Sequence, residues 1–156
     1  MNASTPMPTQ EELERQEETL VLSRFDETTA VALGNALVAE ASAQAAPVVV
    51  NIRTADRTLF HAALPGSAPD NDHWARRKSN IVLRKHQSSM LVGILFEAQG
   101  KSVGPDFGFD PLEFAAHGGS FPIRVAGVGV VGAVTVSGLA SEDDHAMIVR
   151  VLGKML

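Results

Sequence analysis

The stretch FPIRVAGVGVVGAVTVSG at residues 121–138 limits what this chain can fold into more than any other segment. Two β-rich runs, 121–126 and 130–136, flank Gly127-Val128-Gly129, which predicts a β-hairpin with a glycine-bearing turn. Alternation places Phe121, Ile123 and Val125 on one face, with Val130, Val134 and Val136 on the same side of the second strand. The opposite face of that strand is small (Val131, Ala133, Thr135), as a surface closely covered by another element would be. Polar residues meet both ends of the hairpin: His117-Gly118-Gly119-Ser120 leads in, and Ser137-Gly138 leads out toward Asp143-Asp144-His145. Strand ends carry chemistry more often than strand middles, so the search for a site starts there.

The rest of the chain supplies covers for this hairpin. Residues 1–8 read as a disordered tail and 9–156 as a single domain. Thr9 and Glu12 open a short acidic helix, and Leu20-Val21-Leu22 reads as a strand. Asp26 caps a helix with Ala30, Leu33, Gly34, Leu37, Val38 and Ala41 on one side, which ends before Pro47. Residues 48–53 and 57–64 form a second hairpin, with His61 on the face opposite Phe60 and Ala62. Asp70 caps a helix to about residue 85, and Ser88 caps another with Leu91, Val92, Ile94, Leu95 and Ala98 inward, ended by Gly100. Residues 101–110 read as a surface loop, Pro111 opens a helical turn through Ala116, and Ser141 caps the last helix.

Composition removes several classes of function. No cysteine is present among 156 residues, which excludes disulfides, zinc thiolates and thiol catalysis, and is compatible with a cytoplasmic home. A net charge of −5 argues against nucleic acid as a partner held by bulk electrostatics. No apolar run approaches the ~20 residues of a membrane span, and the first ten residues lack the features of a signal peptide. Gly127-Val128-Gly129-Val130-Val131-Gly132 matches a dinucleotide fingerprint by letter, but a strand follows where that motif requires a helix. No GxSxG elbow surrounds any serine.

Three constellations remain. Trp74, Arg77, Lys78 and Ile81 recur at helical spacing, so an indole and two cations share a face suited to a flat anionic ligand, with Asn80 beside them. The same pattern also describes an amphipathic helix with a core tryptophan and solvated cations. Among the histidines, His117 precedes Gly118 and Gly119, whose bare backbone lets a ligand approach, and so is the candidate metal ligand; His61 is a second nitrogen donor. His145 follows two carboxylates, so Asp144 with His145 is a candidate acid–base pair.

Residues 69–80 (PDNDHWARRKSN), 117–123 (HGGSFPI) and 131–145 (VGAVTVSGLASEDDH) together resemble the haem-degrading-domain family. Its relatives include extracellular haem-binding sensor proteins and the C-terminal domain of some cobalamin adenosyltransferases; the segment around Trp74 resembles a small intracellular branch. Gly118-Gly119 with Pro122, the strand over 132–138 and Asp144 carry the broader pattern. The resemblance implies an α/β (α+β) profilin-like sandwich, with a five-stranded antiparallel sheet flanked by helices, and a homo-oligomer. It also implies haem as a cofactor. The expectation is therefore a cytoplasmic, oligomeric binding protein for a flat anionic small molecule such as haem or another tetrapyrrole. Arg77 and Lys78 would pair its carboxylates, Trp74 would lie against its ring, and His117 or His61 would ligate. Two alternatives stand beside it: a haem-degrading or other acid–base enzyme, and a protein–protein adaptor with no small-molecule ligand.

Overall fold

The computed structural model describes residues 5–156, so the first half of the expected tail lies outside the described residues. Two hairpins build the sheet. Strands β1 (Val49–Arg53) and β2 (Thr58–Ala63) form one, and β3 (Ser120–Val125) and β4 (Gly129–Ser137) form the other. All pairings are antiparallel, in the order β2-β1-β4-β3. The second hairpin turns where expected: Val128 N–H donates to Val125 O at 3.0 Å, and Gly127 at φ +75° takes the third turn position, which favours glycine.

The sheet has four strands rather than the expected five. The Leu20–Leu22 segment contributes only a single parallel bridge, Leu22 to Val125, through two hydrogen bonds with Arg124 O and Ala126 N–H. A second departure lies within β4. Ile123 pairs with Gly132 but Arg124 with Val130, so Val131 is an extra bulge residue and packs with the core on the other side from Ala133.

Helices α1 (Gln10–Thr19), α2 (Glu27–Ala43), α3 (Pro69–Lys85), α4 (Ser89–Ala98) and α5 (Ser141–Met155) surround the sheet. Asp26 Oδ1 accepts from Thr29 N–H at 2.9 Å, and Ser88 Oγ from Leu91 N–H at 3.2 Å, so both caps act as read. Two others shift by one or two residues. Ala68 is the N-cap of α3, with Pro69 in its first turn and Asn71 Oδ1 taking the Ala68 N–H, and Ala140 is the N-cap of α5. The helical turn expected from Pro111 through Ala116 is confined to residues 110–114, where Asp110 O accepts from Glu113 and Phe114 N–H. In α4 Ala98 is exposed, against the expectation, and Phe96, which the expected face left out, is buried.

Helices α2 and α5 cover one sheet face, where Val50, Ile52, Phe121, Ile123, Val134 and Val136 meet Leu33, Leu37, Met147 and Ile148. Each such side chain contributes roughly 1.5–3 kcal/mol on burial, which makes this layer the main source of stability. Helices α3 and α4 cover the other face, and its chemistry differs. Ala133 packs there with Ile81, Val82, Val92, Phe96 and Phe109. Its neighbours are polar: Ser120 and Thr135 hydroxyls meet at 2.8 Å, and Ser89 Oγ accepts from Ser120 N–H at 3.0 Å. This polar half-face, between α3 and the strand ends, is where the candidate groups gather. Among the described residues no helix is long and apolar enough to cross a membrane.

Candidate functional site

The site is organised by one buried ammonium group. Lys78 leaves α3 and runs inward to 3% exposure, where Nζ donates to Val136 O (2.9 Å) and Gly118 O (3.1 Å) and pairs with Asp144 Oδ2 (3.3 Å). Three acceptors saturate an ammonium group, so Lys78 ties α3, the end of β4, the start of α5 and the loop before β3 into one unit. Asp144 completes the joint from the first turns of α5. Its Oδ1 accepts from Leu139 N–H at 3.0 Å, and Oδ2 from Gly138 N–H at 3.3 Å. Burial pushes Asp144 up to about 6, against the pull of Lys78 and both amides, and the same burial lowers Lys78.

The double glycine is dictated by this crowding. A side chain at Gly118 would collide with Met90 and Ser141 O, and one at Gly119 with Lys78 Nζ. Gly119 also sits at φ +128°, which L side chains rarely adopt. The loop is thereby pinned, and it delivers His117 to the surface. The His117 imidazole meets the Trp74 indole edge-on, centroids 5.4 Å apart, while the Arg77 guanidinium lies over that indole at 4.4 Å and donates through Nε to Pro111 O at 3.0 Å. Burial, then Lys78 and Arg77, lower the pKa of His117, which favours the neutral ring at physiological pH. No described residue hydrogen-bonds its nitrogens.

His117 stands where three clefts meet. The first, about 230 Å³, is polar and runs past Asp70, Asn71, Trp74, Ser137 and Ser141 down to Lys78 and Asp144. The second, about 370 Å³, is apolar. Phe96, Phe114, Val103 and Ala116 line it, with Arg77, Lys101 and Glu97 among its polar groups. A third, about 310 Å³, lies over Met90 and Ile94.

The ten residues singled out from sequence therefore divide. Trp74, Arg77, Lys78, His117, Gly118, Gly119 and Asp144 converge. Lys78 is consumed by internal partners, so its ammonium is not free for a ligand carboxylate. Asn80 points elsewhere, donating to Glu113 O at 2.9 Å. His61 lies in a separate cleft, bound to Asp72 Oδ1 (2.8 Å) and Asn51 Nδ2 (3.0 Å). Asp144 and His145 do not pair, because consecutive helical residues project about 100° apart. His145 instead turns into the core, where Nε2 meets Gln16 Oε1 at 2.7 Å and burial drives its pKa down to about 4. Sequence reasoning missed Phe96, Phe114 and Lys101, since only tertiary contact joins the end of α4 to the loop before β3. Among the described residues no group of three or more His, Asp or Glu side chains could hold a metal ion.

Comparison with known proteins gives a consistent result. Residues 25–152 match the family model described as haem degrading protein HbpS-like. A UPF0303 protein of Streptomyces coelicolor is 51% identical over 156 residues, covering 100% of this chain and 99% of the relative. One from Rhizobium etli is 46% identical over 141 residues, 90% of this chain and 85% of the relative. Among solved structures, the Ybr137w protein superposes with a TM-score of 0.85 at 32% identity, over 94% of this chain and 87% of that one. The PduOC:Heme complex superposes at 0.69 with 18% identity, over 85% of this chain and 94% of that one, a likeness of fold.

Proposed function

Because the chain belongs to the HbpS-like haem-degrading family, we propose that it binds haem or a related anionic tetrapyrrole in the apolar cleft beside His117. The observation that carries this reading is the lining of that cleft: aromatic and aliphatic walls, an unpaired imidazole at one end and two cations at its margins. Largely apolar clefts with a few convergent polar groups are the common form of small-molecule sites, and about 370 Å³ falls within their ~300–1,000 Å³ range.

The residues fit the group the family implies. A neutral imidazole with free nitrogens would be a suitable donor to haem iron. His117 would take that role, held at its angle by the edge of Trp74 and by the pinned glycines behind it. Phe96 and Phe114 would cover the macrocycle. Arg77 and Lys101 would pair its carboxylates, Lys101 replacing the Lys78 of the sequence reading. PduOC, a neighbour in fold at 18% identity, was itself solved as a heme complex. We place the protein in the cytoplasm as a homo-oligomer, with no nucleic-acid or membrane partner.

Haem titration tests this directly. The expected result is a Soret band shifted from that of free haem, with saturable quenching of Trp74, the chain's single tryptophan. His117→Ala should return the Soret position toward free haem, and Lys101→Ala should weaken binding by about tenfold, the worth of one charge-assisted contact. A wild-type spectrum identical to free haem, or one unchanged in His117→Ala, refutes the proposal. Adding a reductant and oxygen to the complex separates the two haem readings: stable haem indicates a binder, and loss of the band a degrading enzyme.

A further inference from the structure

Of the 13 lysines and arginines, Arg15, Arg57, Arg76, Lys78, Arg124 and Arg150 form salt bridges among the described residues. Four of those that do not are gathered in one region. Arg77 and Lys101 line the apolar cleft, and Lys101 also lines a further cleft of about 380 Å³, together with Arg84 and Lys85. The two clefts adjoin at Phe96 and Lys101, and Phe107 and Phe109 complete the further one. Among the described residues Glu97 is the one carboxylate in either lining. A chain of net charge −5 thus sets four cations without salt bridges against a single acid. Like-charge repulsion disfavours that arrangement, and a ligand with several negative charges relieves it.

Two further observations narrow the ligand. Arg84 is held in place: its guanidinium lies 3.9 Å from the centre of the Phe109 ring, and Nη1 donates to Gly108 O at 2.8 Å. A fixed guanidinium loses little further freedom when it pairs with a carboxylate. Arg77 and Arg84 stand seven residues apart on α3, two turns, and so share a helix face about 10 Å apart along the axis. Cations therefore stand at both ends of a span the size of a macrocycle, whereas the two carboxylates of haem leave one edge of the ring.

We infer, resting on the tetrapyrrole reading above, that the ligand this protein selects carries carboxylates on opposite edges of the ring, four in all. Arg77 and Lys101 take the pair that haem also has. Arg84 and Lys85 take the pair that haem lacks.

The test compares two iron porphyrins, haem and iron coproporphyrin III, in which carboxyethyl arms replace the two vinyl groups of haem. Each is titrated into the full chain and followed by its Soret band and by quenching of Trp74. Iron coproporphyrin is expected to bind about tenfold more tightly, the worth of two exposed ion pairs, although the chain's net charge of −5 favours the less anionic ligand. That margin should shrink as ionic strength rises. Arg84→Gln combined with Lys85→Gln should remove it by weakening iron coproporphyrin alone, with haem affinity unchanged. Lys85→Gln by itself leaves the Arg84 contact with Gly108 intact and should cut the margin about threefold, the worth of one such pair. Equal affinities for the two porphyrins in the wild type, or a margin that survives both variants, overturn the inference and leave the haem reading standing. A Soret band that shifts with neither porphyrin overturns both.

Discussion

Replacing His145 by glutamine should change how acid affects the fold. His145 is 2% exposed, and burial lowers its pKa from 6.5 to about 4, while in the unfolded chain it protonates near 6.5. Between those pH values the unfolded state holds a proton that the folded state refuses, so acidification favours unfolding. The shift is worth about 3 kcal/mol, accumulated as pH falls from 6.5 to 4 and absent above 7. Asp144 opposes it. Its folded pKa is raised from 3.8 to about 6, so the folded state takes up a proton first and acidification favours the fold by a similar amount over nearly the same window. The wild type should therefore show a shallow pH profile between 6 and 4, and the variant should gain stability there. Glutamine keeps an amide facing Gln16 and carries no titratable group. Urea unfolding followed by Trp74 fluorescence at pH 7, 6, 5 and 4 measures the effect. The wild-type stability minus that of His145→Gln should fall by about 3 kcal/mol across the series, or about 1.5 M urea in midpoint at an m-value near 2 kcal/mol/M. A difference that stays level with pH refutes the reasoning.

Other substitutions probe the scaffold of the site. Lys78→Met leaves the Asp144 carboxylate buried without its cation and orphans Gly118 O; it should cost about 3–5 kcal/mol and lower Tm by about 6–20 °C in a thermal melt. Gly119→Ala forces a side chain into positive φ and onto Lys78 Nζ, and should cost more than about 2 kcal/mol in the same measurement. Gly34→Ala drives a methyl group into the Phe60 ring, which lies on the edge strand and can partly yield, so about 1–3 kcal/mol is expected from chemical denaturation.

Much of this architecture is written locally. Asp26 and Ser88 are capping residues followed by helical periodicity, and Gly127 sits where a turn needs it, so α2, α4 and the central hairpin could be read directly. The Leu22 bridge could not, because three residues carry no periodicity and pairing there depends on the free side of β3. The site was legible in its loop and illegible in its partners. Gly118 and Gly119 announce close approach, and a tryptophan beside two cations announces a binding face. A lysine four residues from a tryptophan reads as solvated, however, and only the folded chain brings Gly118 O, Val136 O and Asp144 around it. The adjacency of Asp144 and His145 in the sequence misled for the same reason: on a helix, neighbours in the chain diverge.

The two faces of the sheet have unequal freedom to change. Where Val50, Ile52, Val134 and Val136 interlock with α2 and α5, a change of volume translates directly into lost stability. Across the same strands, Asn51, Arg53 and His61 border a cleft and fill no core, so their identities can vary while the scaffold persists. One side of β1 is thus fixed by packing, and the other is where proteins with the same shape can come to prefer different guests.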